Sequence, residues 1–359
     1  MQNDLIPTRR FKIEPSLDCN IRCRMCYHLH RADTWKQTIQ PLQVMKRRID
    51  DGISRGNTHM DITGGEPTVY PDIVKLVEYA AEHGISTCII TNGIVSSDKA
   101  EALMAAGVEE WLVSRHGTEP IHNYITNAPR SFTLQLRFLD VCRKQNVPVR
   151  FNCVLTKFNE NILLEMAAEM LRFSPVVVNF INMNPHHEWM SKDLATQDVI
   201  ADLPRSAPML ADAIALLEEG GVRVNVRYYP MCLLPKKYWR CVANDLHVVW
   251  ELYDEVLGRD INCEWDYQIA PKTCETHLRW ARRTSLLVEE QGYPCVACDA
   301  KTICGGVNRH FHRVYVSYHR QELCRPIVDS SLPKDDFYFF RRHNRKILSK
   351  EKNCLTAVS

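Results

Sequence analysis

The sequence predicts an α/β fold, a partial (β/α)6 TIM barrel that is followed by a cysteine-rich C-terminal extension. Two observations predict it. Strand-like and helix-like segments alternate from residue 10 to about residue 228, and cysteines cluster near both ends of the chain. Strands that alternate with helices of about 10–15 residues indicate βαβ units and a parallel sheet. Six such units are two short of a complete eight-fold barrel.

The six strand-like segments are, in chain order, FKIEPS, THMDIT, ISTCIIT, EEWLVS, VPVRFNCVLT and PVVVNFINM. The helix-like segments that follow them are PLQVMKRRIDDGISRG, PDIVKLVEYAAEHG, KAEALMAAG, SFTLQLRFLDVCRKQN, NILLEMAAEMLRF and PMLADAIALLEEGG. Pro71 at the start and Gly84 at the end of the second helix are typical of helix boundaries. In such folds functional residues lie at the carboxyl ends of the strands.

The alternation stops after VRVNVRYY, where a segment rich in proline and cysteine begins. We therefore predict a first domain over 1–230, a second over 231–342 and a tail over 343–359. A helix-like stretch, HVVWELYDEVL, lies within the second domain.

Composition limits the possible functions. The net charge of +2 over 359 residues gives no field that would attract nucleic acid or a membrane. The first residues lack a signal-peptide apolar run, and no apolar stretch approaches the length of a membrane span. We expect a cytosolic protein, in which 15 cysteines indicate metal sites and not disulfides. Cys88, Cys142 and Cys153 lie alone in apolar surroundings and are interpreted as core residues.

The first cysteine group is Cys19, Cys23 and Cys26, with CxxxCxxC spacing. Three thiolates leave one iron of a [4Fe-4S] cluster without a protein ligand and open to a small molecule. A zinc site is the alternative, but zinc sites usually add a second cysteine pair close in sequence, and none follows here. The turn Gly64-Gly65-Glu66-Pro67 comes directly after the second predicted strand, and Thr91-Asn92-Gly93 ends the third.

In these motifs the sequence resembles the radical S-adenosylmethionine (SAM) superfamily. The resemblance implies that SAM chelates the open iron, is cleaved to a 5′-deoxyadenosyl radical, and that the radical abstracts hydrogen from an unactivated C–H bond. It also implies a flavodoxin- or ferredoxin-type electron donor. Family members often carry an aromatic residue just before the third cysteine, where this chain has Met25, with Tyr27 just after. The implied SAM-binding residues are Gly64, Gly65, Glu66 and Pro67 for the amino group, Thr91, Asn92 and Ser114 for the ribose, and Asn152 for the SAM carboxylate or the substrate.

The second cysteine group is Cys295, Cys298 and Cys304, with CxxCx5C spacing. It resembles the auxiliary-cluster region of SPASM and twitch radical SAM enzymes, which implies an auxiliary [4Fe-4S] cluster. The full SPASM pattern places a cysteine at the position of Asn308, so the fourth ligand is expected to be Cys324 or Cys232. A zinc knuckle is one alternative. A second auxiliary cluster, drawn from Cys232, Cys241, Cys263 and Cys274, is another.

Substrate class is the open question at this level. We expect a small molecule of natural-product or cofactor biosynthesis, because only about ten residues precede the first strand and leave no leader-binding domain. A maturase of a ribosomally made peptide is the alternative, and a zinc-stabilised binding protein without catalysis is a third. Further candidates for substrate contact are His186, His187 and Glu188 after the sixth strand, with an ordinary polar loop as the alternative. Arg115 and His116 after the fourth strand are candidates for binding a substrate anion, with support of their loop as the alternative.

Overall fold

The computed structural model describes residues 10–26, 28, 39–54, 57–183, 199–243, 293–304, 306, 307 and 309–332. Several sequence predictions lie outside these residues. They concern Tyr27, His186, His187, Glu188, Cys263, Cys274, Asn308, the helix-like stretch HVVWELYDEVL and the 343–359 tail.

The sheet consists of parallel strands that pair in chain order. They are β1 (Arg10–Ser16), β2 (His59–Gly64), β3 (Ser86–Thr91), β4 (Val108–Ser114), β5 (Val149–Leu155), β6 (Val177–Asn182), β7 (Arg223–Arg227) and β8 (Val242–Ala243). Within the described part of the chain, β1 and β8 are the two edges and do not pair, so the barrel is not closed. The predicted parallel, partial barrel is confirmed. The sheet extends beyond the six predicted strands, and the domain boundary near residue 230 stays a prediction.

Helices follow the strands and cover the outside of the sheet. They are α1 (Leu42–Ser54), α2 (Ile73–Glu82), α3 (Ser97–Ala106), α4 (Glu119–Thr126), α5 (Ser131–Lys144), α6 (Leu163–Leu171) and α7 (Leu203–Glu219). Helix α2 shows why they pack there: Ile73, Leu76, Val77 and Ala80 form one apolar stripe and are fully buried. None of the described helices is long and apolar enough to cross a membrane.

Side chains on the inner face of the sheet are largely polar, whereas those on the outer face form the hydrophobic core. Near the amino ends of the strands, Arg10 pairs with Asp61, and Arg150 pairs with Glu110 at 2.8 Å. The predicted core residue Cys88 belongs to this charged layer, because Arg150 donates to its Sγ at 3.3 Å. Cys88 is buried, with 2% of its surface exposed, as expected for a core residue. Its contact with Arg150 was not expected, because a lone cysteine gives no sign of which face of a strand it occupies.

The C-terminal extension contributes the short helix α8 (Lys301–Cys304) and helix α9 (Arg309–His319). Helix α9 contacts the barrel near the carboxyl ends of β5 and β6. The Tyr315 hydroxyl donates to Asp202 at 3.4 Å, and Lys157 donates to the Tyr318 hydroxyl at 3.4 Å. The extension therefore lies against the end of the barrel at which functional residues were expected.

Candidate active site and auxiliary cysteine cavity

The Gly-Gly turn after β2 packs against the chain that leads into the first cysteines. Gly64 has a φ of +123°, and a Cβ atom on Gly65 would lie 2.2 Å from the carbonyl oxygen of Asp18. The Gly65 amide donates to the Ser16 carbonyl at 2.9 Å, and the Glu66 amide donates to the Asp18 carbonyl at 2.8 Å. Glycine is required here because no side chain fits between the turn and the start of the cysteine loop, which we define as residues 17–26.

Glu66 connects the ends of β2 and β3 from a fully buried position. Its Oε1 accepts from the Thr68 amide (3.1 Å), the Thr68 hydroxyl (2.7 Å) and the Thr91 hydroxyl (2.8 Å), and its Oε2 accepts from the Asn92 amide (2.7 Å). Burial raises the pKa of Glu66, and these hydrogen bonds oppose that rise. A carboxylate has about four acceptor sites, so the chain itself already engages this one fully.

The end of β3 reaches the first cysteine. The Asn92 side-chain amide donates to Asn20 Oδ1 at 2.7 Å and lies 3.9 Å from Cys19 Sγ. The Asn20 amide donates in turn to the Ile94 carbonyl at 3.1 Å. These two hydrogen bonds connect the cysteine loop to the Thr-Asn-Gly turn. Asn20 was not a predicted site residue, because its type and position resemble those of any loop asparagine.

A buried glutamine on α5 joins the turns after β3 and β4. Gln135 is fully buried, and its Nε2 donates to the carbonyls of Asn92 (2.7 Å) and Ser114 (2.8 Å). Two predicted site residues are thus held together by a third side chain that the sequence did not single out. A polar residue on the apolar stripe of a helix is the signal that points to it.

The far side of the cysteine loop is attached to the carboxyl end of α4. The Arg24 amide donates to the Ile125 carbonyl at 2.8 Å, and its Nε donates to the Tyr124 carbonyl at 3.0 Å. The guanidinium also lies 4.3 Å from the centre of the Tyr124 ring. A cation near the last carbonyls of a helix is favoured by the helix dipole.

The three thiols of the loop occupy one neighbourhood. Cys19 is exposed, and Cys23 and Cys26 are half-buried. Burial, followed by the nearby Cys26 and Cys19 groups, raises the pKa of Cys23. Three accessible thiols on a loop that is held from both sides fit a [4Fe-4S] cluster with one open iron, because thiolates are the ligands of such clusters.

The remaining predicted SAM-site residues also lie at the carboxyl edge or on the inner face of the sheet. Pro67 is buried in the turn that follows Glu66. Ser114 ends β4 and stands opposite Asn152 of β5 in the strand register. Asn152 Oδ1 accepts from Asn179 at 2.8 Å. The eight predicted positions thus surround the same end of β2–β5, and their contacts to SAM stay predictions.

Arg115 and His116 do not face an open site. Both are buried, with 1% and 4% of their surface exposed. The Arg115 guanidinium stacks on Phe132 at 4.1 Å, and burial lowers its pKa to about 10. Burial also lowers the pKa of His116 to about 4, and His116 Nδ1 accepts from the Val154 amide at 3.3 Å. These residues support the loop after β4, which was one of their two predicted roles.

Five cysteines line a single cavity in the C-terminal extension. The space between their side chains is about 310 Å³, open solvent included, and it is partly open to solvent. Lys301 and Arg325 also line it. Cys232 comes from the turn after β7, so the barrel supplies one wall and the extension supplies the others. The structure brings together all five predicted auxiliary ligands: Cys232, Cys295, Cys298, Cys304 and Cys324.

Two cysteine sulfurs in this cavity accept hydrogen bonds from backbone amides, which stabilise the thiolate form. The Arg325 amide donates to Cys232 Sγ at 3.5 Å, and the Ile327 amide donates to Cys298 Sγ at 3.3 Å. A hydrogen bond from Cys324 lowers the pKa of Cys232 to about 7, whereas burial raises that of Cys304 to about 12. Among the described residues, no three His, Cys, Asp or Glu side chains are arranged around a single metal ion. Thiols spread around a cavity fit a cluster of several irons.

Comparisons with known proteins agree with these motifs. Residues 13–170 match the model of the radical SAM superfamily. The chain is 29% identical over 150 residues to an AdoMet-dependent heme synthase of Methanosarcina barkeri, covering 41% of this chain and 42% of that protein. It is 28% identical over 160 residues to a PqqA peptide cyclase of Ruegeria pomeroyi, covering 43% and 41%. The chain therefore matches less than half the length of these two relatives.

The fold has matches among solved structures. The structure of anSMEcpe with bound AdoMet and Cp18Cys peptide superimposes with a TM-score of 0.51 at 21% identity, covering 61% of this chain and 63% of that one. At this identity the likeness concerns the fold.

Proposed function

We propose that the chain is a radical SAM enzyme that uses SAM and a [4Fe-4S] cluster to functionalise an unactivated C–H bond, because residues 13–170 match the model of that superfamily. When bound, the cluster and SAM together supply the one-electron chemistry that removes hydrogen from carbon. One observation carries the proposal: a loop with three accessible thiols is attached to the ends of β2, β3 and α4 by the chain's own hydrogen bonds.

The residues around the loop divide the work. Cys19, Cys23 and Cys26 hold the cluster. Glu66 acts as a positioning residue that fixes the turns bearing Gly65 and Asn92. The polar groups Thr91 and Ser114, at the same edge, bind SAM. Such prior fixing matters because a site held within about 0.5 Å of its working geometry loses little free energy on ordering.

The C-terminal cavity holds an auxiliary [4Fe-4S] cluster in this proposal. Cys295, Cys298 and Cys304 contribute three ligands, and the contact of Cys324 with both Cys232 and Cys295 makes Cys324 the best fourth ligand. Backbone amides donate hydrogen bonds to the sulfurs of Cys232 and Cys298, and the cationic Lys301 and Arg325 also line the cavity. Hydrogen bonds and charge set the reduction potential of a cluster, and these groups favour its reduced state. The cavity is suited to accept an electron from substrate, which fits oxidation or cross-linking.

The relatives' names do not choose the substrate class. They include a heme synthase, a GTP 3′,8-cyclase and a peptide cyclase. Small molecules and peptides both remain candidate substrates for this chain, and the electron donor, of the flavodoxin or ferredoxin type, is part of the proposal.

The proposal is tested by SAM cleavage. Anaerobically reconstituted, reduced protein should convert SAM to 5′-deoxyadenosine and methionine. The triple variant Cys19→Ala, Cys23→Ala, Cys26→Ala should lose this activity. Cys142→Ala is the matched control, because Cys142 is fully buried in the hydrophobic core. Cleavage that survives in the triple variant would refute the assignment.

A further inference from the structure

Three asparagines form one hydrogen-bonded row across the inner face of the barrel. Asn152 on β5 stands opposite Asn179 on β6, and Asn179 stands opposite Asn225 on β7. The Asn225 side-chain amide donates to Asn179 Oδ1 at 2.9 Å, and that of Asn179 donates to Asn152 Oδ1 at 2.8 Å. We call these three residues the asparagine row.

The asparagine row lies on the inner face of the sheet because the residues next to it in sequence lie on the outer face. Phe151, Val178 and Val224 directly precede the three asparagines, and all belong to the hydrophobic core. Successive side chains of a strand point to opposite faces. The asparagines therefore face the barrel interior, in line with Ser114 of the proposed SAM site.

Strand propensity does not account for the row. Asparagine is depleted in strands, so three at one register level require another reason. Positions at which a residue contradicts its local structural propensity are expected to be functional or strained sites. The middle residue, Asn179, is 3% exposed and satisfied by its neighbours, whereas Asn152 and Asn225 are half-buried at the two ends.

The ends of the row present opposite hydrogen-bonding groups. Within the row, Asn152 uses its Oδ1 atom and Asn225 uses its Nδ2 atom. Among the described residues, the remaining side-chain atoms, Asn152 Nδ2 and Asn225 Oδ1, have no hydrogen-bond partner. An open donor and an open acceptor complement the C=O and N–H of amide groups. Strands β5 and β7 are about 10 Å apart at two strand spacings, which is the length of about three residues of extended peptide.

We propose that the asparagine row binds the amide groups of an extended, peptide-like substrate, with a C=O at Asn152 and an N–H at Asn225. This inference rests on the proposed function, because the row adjoins the SAM site. It deepens that function by naming the substrate chemistry. A ligand with a single amide group reaches one end of the row but not both.

The test compares the binding of two ligands, an amide and an ester, to wild-type protein and to a variant of the row. The probes are N-acetyl-dialanine methylamide and the corresponding methyl ester, which lacks the last N–H. Binding to the anaerobic holoenzyme with SAM is measured by ligand-observed NMR. Wild-type protein should bind the amide at least threefold more tightly than the ester, the size of a neutral hydrogen bond. In Asn225→Leu that ratio should fall to about one.

The control is Asn161→Leu, because Asn161 is an exposed asparagine before α6 and outside the barrel. It should keep the wild-type ratio. Equal binding of amide and ester to wild type, no binding of either, or an unchanged ratio in Asn225→Leu would assign the row a purely structural role and overturn the inference. SAM cleavage without substrate, measured in the same samples, separates the two proposals, since its absence in wild type would refute the proposed function itself.

Discussion

The two cysteine sites are built in opposite ways. The thiols of the N-terminal loop are exposed or half-buried, and the loop is held from outside by backbone contacts to a glycine turn and a helix end. Four of the five C-terminal cysteines are buried, and they line a cavity whose walls come from distant parts of the chain. An open loop leaves room for a second ligand on the metal, whereas a cavity lined by five mostly buried thiols favours complete ligation by the protein. The difference supports the proposal that SAM binds at the first site and that the second site transfers electrons.

The largest expected effect that separates the two sites comes from Gly65→Ala. The new Cβ atom would lie 2.2 Å from the Asp18 carbonyl, so the cysteine loop must move. We expect SAM cleavage to be lost while about four irons remain at the C-terminal site.

Gly84→Ala is the control for Gly65→Ala. Gly84 has a φ of +73°, but no atom lies within 4 Å of the added Cβ. This variant should lose about 1 kcal/mol of unfolding free energy, the cost of a positive φ, and keep its cleavage activity. If both variants cleave SAM equally well, the packing of the turn against the cysteine loop is not required for SAM cleavage.

The second largest effect concerns the surplus thiol of the C-terminal cavity. Because Cys232 and Cys324 contact each other and both line the cavity, we expect each to replace the other in part. The variants Cys232→Ala and Cys324→Ala should each keep most of their iron, and the double variant should lose about four irons. Complete loss in one single variant and none in the other would instead identify one fixed fourth ligand.

A smaller effect is expected for Glu66→Gln. The amide that replaces one carboxylate oxygen would face a donor, the Asn92 amide or a threonine hydroxyl. Leaving a buried donor unpaired costs about 1–3 kcal/mol, which corresponds to about tenfold weaker SAM binding if the turns no longer hold their position.

Calorimetry with SAM measures the effect of Glu66→Gln, and urea unfolding reports the accompanying loss of stability. Glu109→Gln is the matched control, since Glu109 is an exposed glutamate that accepts a hydrogen bond from Ser86. Unchanged affinity and stability in Glu66→Gln would remove Glu66 from the positioning role.

The smallest effect is expected at Arg24. Its side chain is exposed, so its bonds to the end of α4 contribute about 1 kcal/mol or less. Arg24→Ala should weaken SAM binding about two- to fivefold and change the electron paramagnetic resonance signal of the SAM-bound cluster. Arg24→Lys should recover part of the loss, because it keeps the charge at the helix end. The signal of the C-terminal cluster should not change in either variant.

The sequence was a good guide wherever one residue type serves one purpose. The βα alternation predicted the parallel sheet, and cysteine spacing predicted both thiol groups, including Cys232, which is 63 positions before Cys295. It was a poor guide to the supporting side chains. Gln135, Arg24 and Asn20 act through contacts with residues far away in sequence, and nothing in their local sequence encodes such contacts.

The role of the glycine turn shows the same limit. The family resemblance implies that this turn contacts the SAM amino group, and the structure shows that Gly65 also packs against the cysteine loop. The asparagine row is also invisible locally, because its three members are 27 and 46 positions apart and meet only through strand register.

The central claim is that two separate iron-sulfur sites are built from two separate cysteine groups. Iron, sulfide and zinc are measured in anaerobically reconstituted wild type, in the Cys19/Cys23/Cys26 triple alanine variant and in the Cys295/Cys298/Cys304 triple alanine variant. The account predicts about eight irons in wild type, about four in each variant, and no zinc. About four irons and one zinc in wild type, with the zinc lost from the second variant, would contradict it and make the C-terminal cavity a structural zinc site.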